Sequence, residues 1–255
     1  MQMKWDVVFY DEIDSTNSEI RRLSQNGAIE GLVAMADRQS AGKGRRGRTW
    51  ESPTGGNLYF SVLLRPQIDP KKAPMLTLLM AYSVTKAIDK FIYPKGVSAQ
   101  IKWPNDVILS GKKVCGILTE MNLSDNQIDD VIIGVGVNVN TTEFPEELKE
   151  KATSVCLETG TAIDRKRLLE HILQEFETQY HDFLRVQNLS LIQEAYNQLL
   201  VNREREVRVL EPGKEYQALA LGINESGELL VQKADNSIEK VYAGEVSVRG
   251  IYGYV

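Results

Sequence analysis

Residues 38–48 read Arg-Gln-Ser-Ala-Gly-Lys-Gly-Arg-Arg-Gly-Arg, a segment with three glycines, five cations and no acid. Its context constrains the chain more than any other feature. Gly42 to Gly47 matches G-x-G-x-x-G, and Gly42 to Thr49 nearly matches a P-loop, with Arg48 where that motif needs lysine. Both motifs hold phosphate at the amino end of a helix, where free N–H groups and the helix dipole converge. Here Pro53, Gly55 and Gly56 come next, and from Asn57 a run of aromatic and branched residues reads as a strand. Without a helix after the loop, neither a Rossmann nor a P-loop fold is available. What survives is a loop whose glycines let backbone approach a ligand and whose Arg45, Arg46 and Arg48 supply positive charge. A solvated surface loop and a single-stranded nucleic-acid contact are the other readings of such a segment.

Composition bears on the ligand. The 255-residue chain carries a net charge of −5, and outside those eleven residues 25 basic side chains face 35 acidic ones. A compact positive site on an acidic body suits a small anion better than a long nucleic-acid track. No apolar run is long enough to span a bilayer, and the first residues lack a signal-peptide layout. Two cysteines, Cys115 and Cys156, are too few for a disulfide framework, so a cytoplasmic setting is expected.

Hydrophobic spacing and turn chemistry predict the elements. A helix is expected over Asn17 to Gln25, opened by a Thr16–Glu19 capping box, and a strand over Leu32 to Ala36. Asn57 to Arg65 reads as a strand and Pro74 to Tyr93 as a long helix, with Met75, Leu78, Leu79, Tyr82, Ala87 and Phe91 as its buried stripe. Ala99 to Trp103, Val107 to Leu109, Lys113 to Asn122 and Gln127 to Asn138 read as strands joined by Ser110-Gly111 and Ser124-Asp125-Asn126 turns, which makes the sheet largely antiparallel. Asp164 caps a helix through Arg185, and another helix is expected over Leu189 to Val201. From Arg205 onward Val207, Val209, Ala218, Ala220, Leu229, Val231, Val241, Val246 and Val248 fall in short runs. Pro212-Gly213, Ser226-Gly227 and Ala243-Gly244 separate these runs, the pattern of a small barrel. The expected division is 1–202 and 203–255.

Three further segments carry polar groups at element ends. Lys102-Trp103-Pro104-Asn105-Asp106 closes a strand, and Lys113 opens the next, before Val114-Cys115-Gly116-Ile117-Leu118. Gly134-Val135-Gly136-Val137-Asn138 strips side chains from one sheet face, either for close packing or as a floor for a ligand ring.

With Ser15-Thr16-Asn17 and the Gln39 to Trp50 loop, these segments occur in the order found in biotin–protein ligases, which the chain resembles over nearly its whole length. The resemblance implies an α+β catalytic domain related to class II aminoacyl-tRNA synthetases, with a mixed, largely antiparallel sheet, flanking helices and a C-terminal SH3-like barrel. The activity implied is that of a bacterial biotin–[acetyl-CoA-carboxylase] ligase. Biotin and ATP, with Mg²⁺, give biotinyl-5′-AMP and pyrophosphate; biotin then passes to a lysine of a biotin carboxyl carrier protein domain. Arg45, Lys113 and Asp106 are the implied catalytic residues, Asp106 also as the Mg²⁺ carboxylate. Biotin would be met by Ser15, Thr16, Asn17, Gln39, Gly42, Lys43, Gly44, Arg45, Lys113, Gly116, Gly134 and Gly136. The nucleotide would be met by Arg45, Arg46, Arg48, Trp50, Lys102, Asn105, Asn138 and Arg249. Family loops usually carry arginine where this chain has Lys43. A lipoate or octanoate ligase on the same fold is the alternative, needing a longer apolar tunnel instead of ureido contacts; a nucleic-acid-binding module is another. Thirteen residues before Asp14 cannot build a helix-turn-helix, so no DNA binding and no repressor role are expected. An exposed sheet edge would permit a homodimer.

Overall fold

The computed structural model describes residues 3–92, 96–211, 213–243 and 247–250. Tyr93, Pro212, Gly244 and Val246, named above, lie outside them.

The first unit is β1 (Asp6–Ile13), α1 (Thr16–Gln25) and β2 (Leu32–Gln39), with β1 and β2 parallel and α1 crossing between them. Parallel pairing brings both strand ends to the same side, and Ile13 stands opposite Gln39. Ser15, Thr16 and Asn17, at the start of α1, therefore meet Gln39 at the end of β2. The expected capping box does not form. Ser15, not Thr16, occupies the N-cap and makes no side-chain cap bond, and Glu19 accepts from Tyr10 Oη and Arg22 Nε instead of reaching back to the helix start.

β3 (Leu58–Leu64), β4 (Gln100–Lys102), β5 (Asp106–Leu109), β6 (Lys112–Ser124) and β7 (Gln127–Val137) complete a seven-stranded sheet in the order β1-β2-β3-β7-β6-β5-β4. All its pairings except β1–β2 are antiparallel. The tight turns carry the expected chemistry: Ser110, Gly111, Asp125 and Asn126 all have positive φ, as two-residue hairpins of this twist require.

α2 (Pro74–Ile92) is buried on nearly every side, beyond the single stripe expected. It lies between β6 and α4 (Arg165–Val186), so no broad face is left to water. Its buried hydroxyls are satisfied within the helix, Ser83 Oγ donating to Leu79 O and Thr85 Oγ1 to Ala81 O. Asp164 caps α4 by accepting from the N–H groups of Lys166 and Arg167. α3 (Val155–Thr159) and α5 (Gln193–Leu199) are short, the latter shorter than the expected Leu189 to Val201. No helix among the described residues is long and apolar enough to cross a membrane.

β8 (Arg205–Glu211), β9 (Lys214–Ile223), β10 (Leu229–Gln232), β11 (Ile238–Val241) and β12 (Ser247–Gly250) form a separate antiparallel sheet. Its buried residues belong to the same continuous apolar core as the large sheet and α2. Polar contacts fix the junction: Trp103 Nε1 donates to Gly227 O at 3.1 Å, and Asn197 exchanges bonds with both backbone groups of Ile223. This docking sets β12, with Val248 and Arg249, beside the Lys102 to Asp106 turn.

Candidate functional site

Alternation along the central strands gathers the polar groups on one sheet face. On β6, Gly116, Leu118 and Glu120 point the same way; opposite them on β7 stand Gly136, Gly134 and Ile132, and Gly134 faces Ser61 of β3. α1 covers one end of this face and the 39–52 loop the other.

The α1 end is a closed polar network. Thr16 N donates to Gln39 Oε1 at 2.8 Å, and Gln39 Nε2 donates to Ser52 Oγ at 2.8 Å. Ser61 Oγ lies 2.8 Å from Thr16 Oγ1 and 2.6 Å from Asn17 Oδ1. Asn17 Nδ2 donates to Glu120 Oε2 at 2.8 Å, while Arg21 pairs with the other carboxylate oxygen at 3.0 Å. Gly134 is required here: a Cβ on it would stand 2.0 Å from Asn17 Oδ1.

The loop folds back as a small hairpin. Gln39 bridges Ser52, Lys43 bridges Thr49, Trp50 N donates to Gly42 O, and Gly44 N donates to Arg48 O. Its tip is one 3-10 turn at Arg45–Gly47, and no helix follows. The return carries the Trp50 indole over the sheet, where a Cβ on Gly136 would come within 2.5 Å of Trp50 Nε1 and one on Gly116 within 2.8 Å of Cζ3. Lys113 Nζ stands 5.2 Å from the same ring's centroid, a cation–π contact.

Cations and their partners ring the mouth. Arg45 Nη1 donates to Asn105 Oδ1 at 2.7 Å, and Asn105 Nδ2 donates to Ile117 O, so the turn after Trp103 clamps both the loop and β6. Lys113 Nζ pairs with Asp106 Oδ1 at 2.6 Å. Lys102 is 5% exposed. Its pKa is lowered to about 8, chiefly by burial and further by Lys113 and Arg249, against the pull of Asp106. Burial also lowers the Arg45 pKa, with Asp106 again opposing. Three elements and the second sheet thus converge on a concentrated positive field held in part out of water, where it acts at greater strength.

Of the residues singled out from the sequence, Ser15, Thr16, Asn17, Gln39, Lys43, Gly44, Arg45, Trp50, Asn105, Lys113, Gly116, Gly134 and Gly136 line one pocket. An adjoining larger cleft, which Trp50 also borders, is lined by Arg45, Arg48, Lys102, Asn105, Asp106, Lys113, Asn138 and Arg249, together with the apolar Phe144, Pro145 and Leu148. Gly42 and Arg46 line neither. Gly42 is buried where a Cβ would strike Trp50 O at 2.3 Å, so the hairpin itself needs it, and Arg46 is exposed at φ 59° on the tip. Asn138 is buried, its Nδ2 donating to Thr153 O. Sequence reasoning misses Ser61, Glu120 and Ser52. Ser61 leaves one signal, as the lone polar residue short of the tyrosine in a strand otherwise built for burial.

Among the described residues no three His, Cys, Asp or Glu side chains form a metal cage. The larger cleft is bordered by the carboxylates of Glu51, Asp106, Glu143 and Glu150, and Asp106 is the one paired with Lys113 at the junction with the smaller pocket. Scattered carboxylate oxygens without a preformed cage suit a Mg²⁺ that arrives on phosphate oxygens and takes few protein ligands.

The pocket's arrangement is a neutral closed end of short donors and acceptors, a flat glycine floor, and a cationic mouth. Such a site can seat a small ring and bring a carboxylate at its other end against phosphate. Residues 9–138 match the model of the Biotin/lipoate A/B protein ligase family, and residues 204–249 match the Biotin protein ligase C terminal domain. The chain is 38% identical over 246 residues to the Bifunctional ligase/repressor BirA of Bacillus subtilis, covering 95% of this chain and 74% of that protein. It is 33% identical to a biotin–[acetyl-CoA-carboxylase] ligase of Mycobacterium tuberculosis, covering 91% and 85%. Among solved structures, biotin protein ligase from Aquifex aeolicus in complex with biotin and ATP superposes with a TM-score of 0.83 at 32% identity, covering 96% of this chain and 99% of that one.

Proposed function

The chain belongs to the biotin/lipoate A/B protein ligase family, and from that premise we propose that it is an ATP-dependent biotin–protein ligase of the biotin–[acetyl-CoA-carboxylase] type. The observation that carries this reading is the polarity of the pocket. Its closed end is neutral and made of Thr16, Asn17 and Gln39, backed by buried Ser61, which suits a ureido ring, and its mouth is cationic, which suits a carboxylate meeting a nucleotide. A lipoyl or octanoyl chain would ask for an apolar tunnel where this chain has hydroxyls and amides.

In the first step a biotin carboxylate oxygen attacks the α-phosphorus of ATP. The new O–P bond forms as the bond to the bridging oxygen breaks, and pyrophosphate leaves. Two like charges 4 Å apart repel by about 4 kcal/mol at an effective dielectric of 20. Arg45 and Lys113, which border both the pocket and the cleft, with Lys102 in the cleft, are the cations that would offset this repulsion, and a cation aimed at such charge is worth roughly 3–4 kcal/mol of barrier. Arg48, Arg249 and Asn138 border the cleft that would take the nucleotide. Asp106 would hold the Mg²⁺ that, when bound, neutralises phosphate charge. In the second step the neutral amine of a carrier-domain lysine attacks the acyl carbon of the mixed anhydride, AMP leaves, and an amide forms. Two unpaired cysteines, Cys115 and Cys156, accord with work in the reducing cytoplasm.

Incubation with ATP, Mg²⁺ and either biotin or lipoate, with pyrophosphate release as the readout, tests the assignment. Release with biotin and none with lipoate is expected. Folded protein that releases none with biotin overturns it.

A further inference from the structure

We infer that Glu120, outside the pocket, is a positioning residue that fixes the direction of a hydrogen-bond chain and so makes the closed end of the pocket an acceptor of ligand N–H groups. The inference rests on the biotin reading above and concerns how the ureido ring is recognised.

Proton counting sets the direction. Glu120 receives Asn17 Nδ2 on Oε2 and Arg21 on Oε1, and a carboxylate so placed can only accept. Asn17 must therefore turn its NH₂ toward Glu120 and its Oδ1 toward Ser61, 2.6 Å away. Ser61 has one proton and two oxygens in reach, and the nearer, Asn17 Oδ1, cannot donate. Ser61 commits its proton there. Its oxygen is then left to accept from Thr16 Oγ1 at 2.8 Å, a closer partner for the Thr16 proton than Gln39 Oε1 at 3.2 Å. Gln39 is oriented independently, since its Nε2 donates to Ser52 and its Oε1 receives Thr16 N. With its proton turned inward, Thr16 Oγ1 presents lone pairs to the pocket it lines, beside the second lone pair of Gln39 Oε1. Asn17 is 3% exposed and Ser61 0%, so bulk water cannot reset the chain midway.

Without an acceptor at position 120 the Asn17 amide is free to turn over. Its NH₂ would then donate to Ser61, Ser61 to Thr16, and Thr16 outward. The same pocket atoms would offer a donor to the ureido N–H, a mismatch at a site built for the opposite polarity.

The test compares wild type with Glu120→Ala, Glu120→Gln, Asn17→Asp and the double variant Asn17→Asp/Glu120→Gln. Biotin Kd is read by calorimetry, and biotin-dependent pyrophosphate release at saturating biotin is read alongside. The probe of polarity is a cyclic carbamate analogue of biotin, in which a ring oxygen replaces one ureido N–H. Glu120→Ala is expected to raise the biotin Kd about tenfold and to erase most of the preference for biotin over the carbamate, with turnover at saturation within about twofold of wild type. Asn17→Asp sets two carboxylates against each other and loses at least as much. The double variant restores the direction, because the carboxylate at position 17 accepts both from the new amide at position 120 and from Ser61, and its Kd returns to within about threefold of wild type. Glu120→Gln, able to accept through its amide oxygen, changes Kd by less than Glu120→Ala. Thermal melts separate loss of fold from loss of polarity. An unchanged preference in Glu120→Ala, or a double variant whose losses add, overturns the inference while leaving the ligase reading intact. Wild-type protein that binds no biotin overturns both.

Discussion

Replacing Lys102 by methionine should make the protein more stable and less active. The lysine is buried beside Lys113 and Arg249, and it titrates at about 8 where an unfolded lysine titrates near 10.5. At 1.36 kcal/mol per pH unit, this corresponds to about 3 kcal/mol of strain on the charged form. Below pH 8 the ammonium is charged in both folded and unfolded chains and the penalty is complete. Between pH 8 and 10.5 the folded chain has released the proton while the unfolded chain still holds it, so the wild type gains stability as pH rises; above 10.5 both are neutral. Methionine keeps the volume and removes the charge. Lys102→Met is therefore expected to exceed wild type by up to about 3 kcal/mol at pH 7, the attraction to Asp106 being already contained in the lowered pKa, and to lose that advantage by about pH 10.5. Urea denaturation at neutral, intermediate and high pH, monitored by circular dichroism, measures it. The same variant should form adenylate at least ~10²-fold more slowly. In the wild type kcat/KM for biotin should fall as pH rises through about 8, the cation being lost from the free enzyme. A variant less stable than wild type at pH 7, or one whose advantage does not depend on pH, refutes the reasoning.

Lys113→Ala should slow biotin-dependent pyrophosphate release by at least ~10²-fold with little change in melting temperature; near-normal turnover would reduce Lys113 to a partner of Asp106. Two glycine substitutions on one strand should part company. Gly136→Ala pushes against the Trp50 indole, which rides on an exposed loop and can leave, so stability changes by under about 1 kcal/mol while tryptophan emission shifts to the red. Gly134→Ala pushes against Asn17, held by Ser61 and Glu120, and should cost about 1–3 kcal/mol in denaturant unfolding. Trypsin should cut at Arg45 to Arg48 in the free protein, and biotin should slow that cut; a rate indifferent to biotin would detach the loop from the site.

Local rules suffice where one residue type is the sole answer. The two-residue turns need positive φ and are supplied by Ser110-Gly111 and Asp125-Asn126, which makes the antiparallel order of β5, β6 and β7 legible. The prolines and glycines after the cationic loop rule out a helix, and none follows. Features decided by distant partners escape such rules. β1 bears Asp6, Asp11 and Glu12 because it is an edge strand with one neighbour, so its alternation is weak, and this hides its parallel pairing to β2. The Thr16–Glu19 spacing is right for a capping box, yet Tyr10 and Arg22 claim the carboxylate. α2 shows no single stripe because a second helix covers the face a surface helix would leave wet. Ser61 and Glu120 lie 59 residues apart on strands that β7 separates, and no local pattern could join them to Asn17.

The glycine floor adds chemistry to that contrast. Alternating glycines can be read from the sequence as bare sheet, but bare sheet in a folded protein is always covered by something. Gly134 is covered by Asn17, whose place the fold fixes through Glu120 and Ser61. Gly116 and Gly136 are covered by Trp50, whose place depends on a hairpin rich in like charges. A ligand ring that needs the floor must therefore share it with, or take it from, the indole, and never from the amide. This assigns the adaptable part of the pocket to the loop and the discriminating part to α1. Substitutions of Trp50 and of the glycines at the hairpin tip should mainly alter how fast biotin enters and leaves, whereas variants in the Asn17–Ser61–Glu120 chain should alter which ring is accepted.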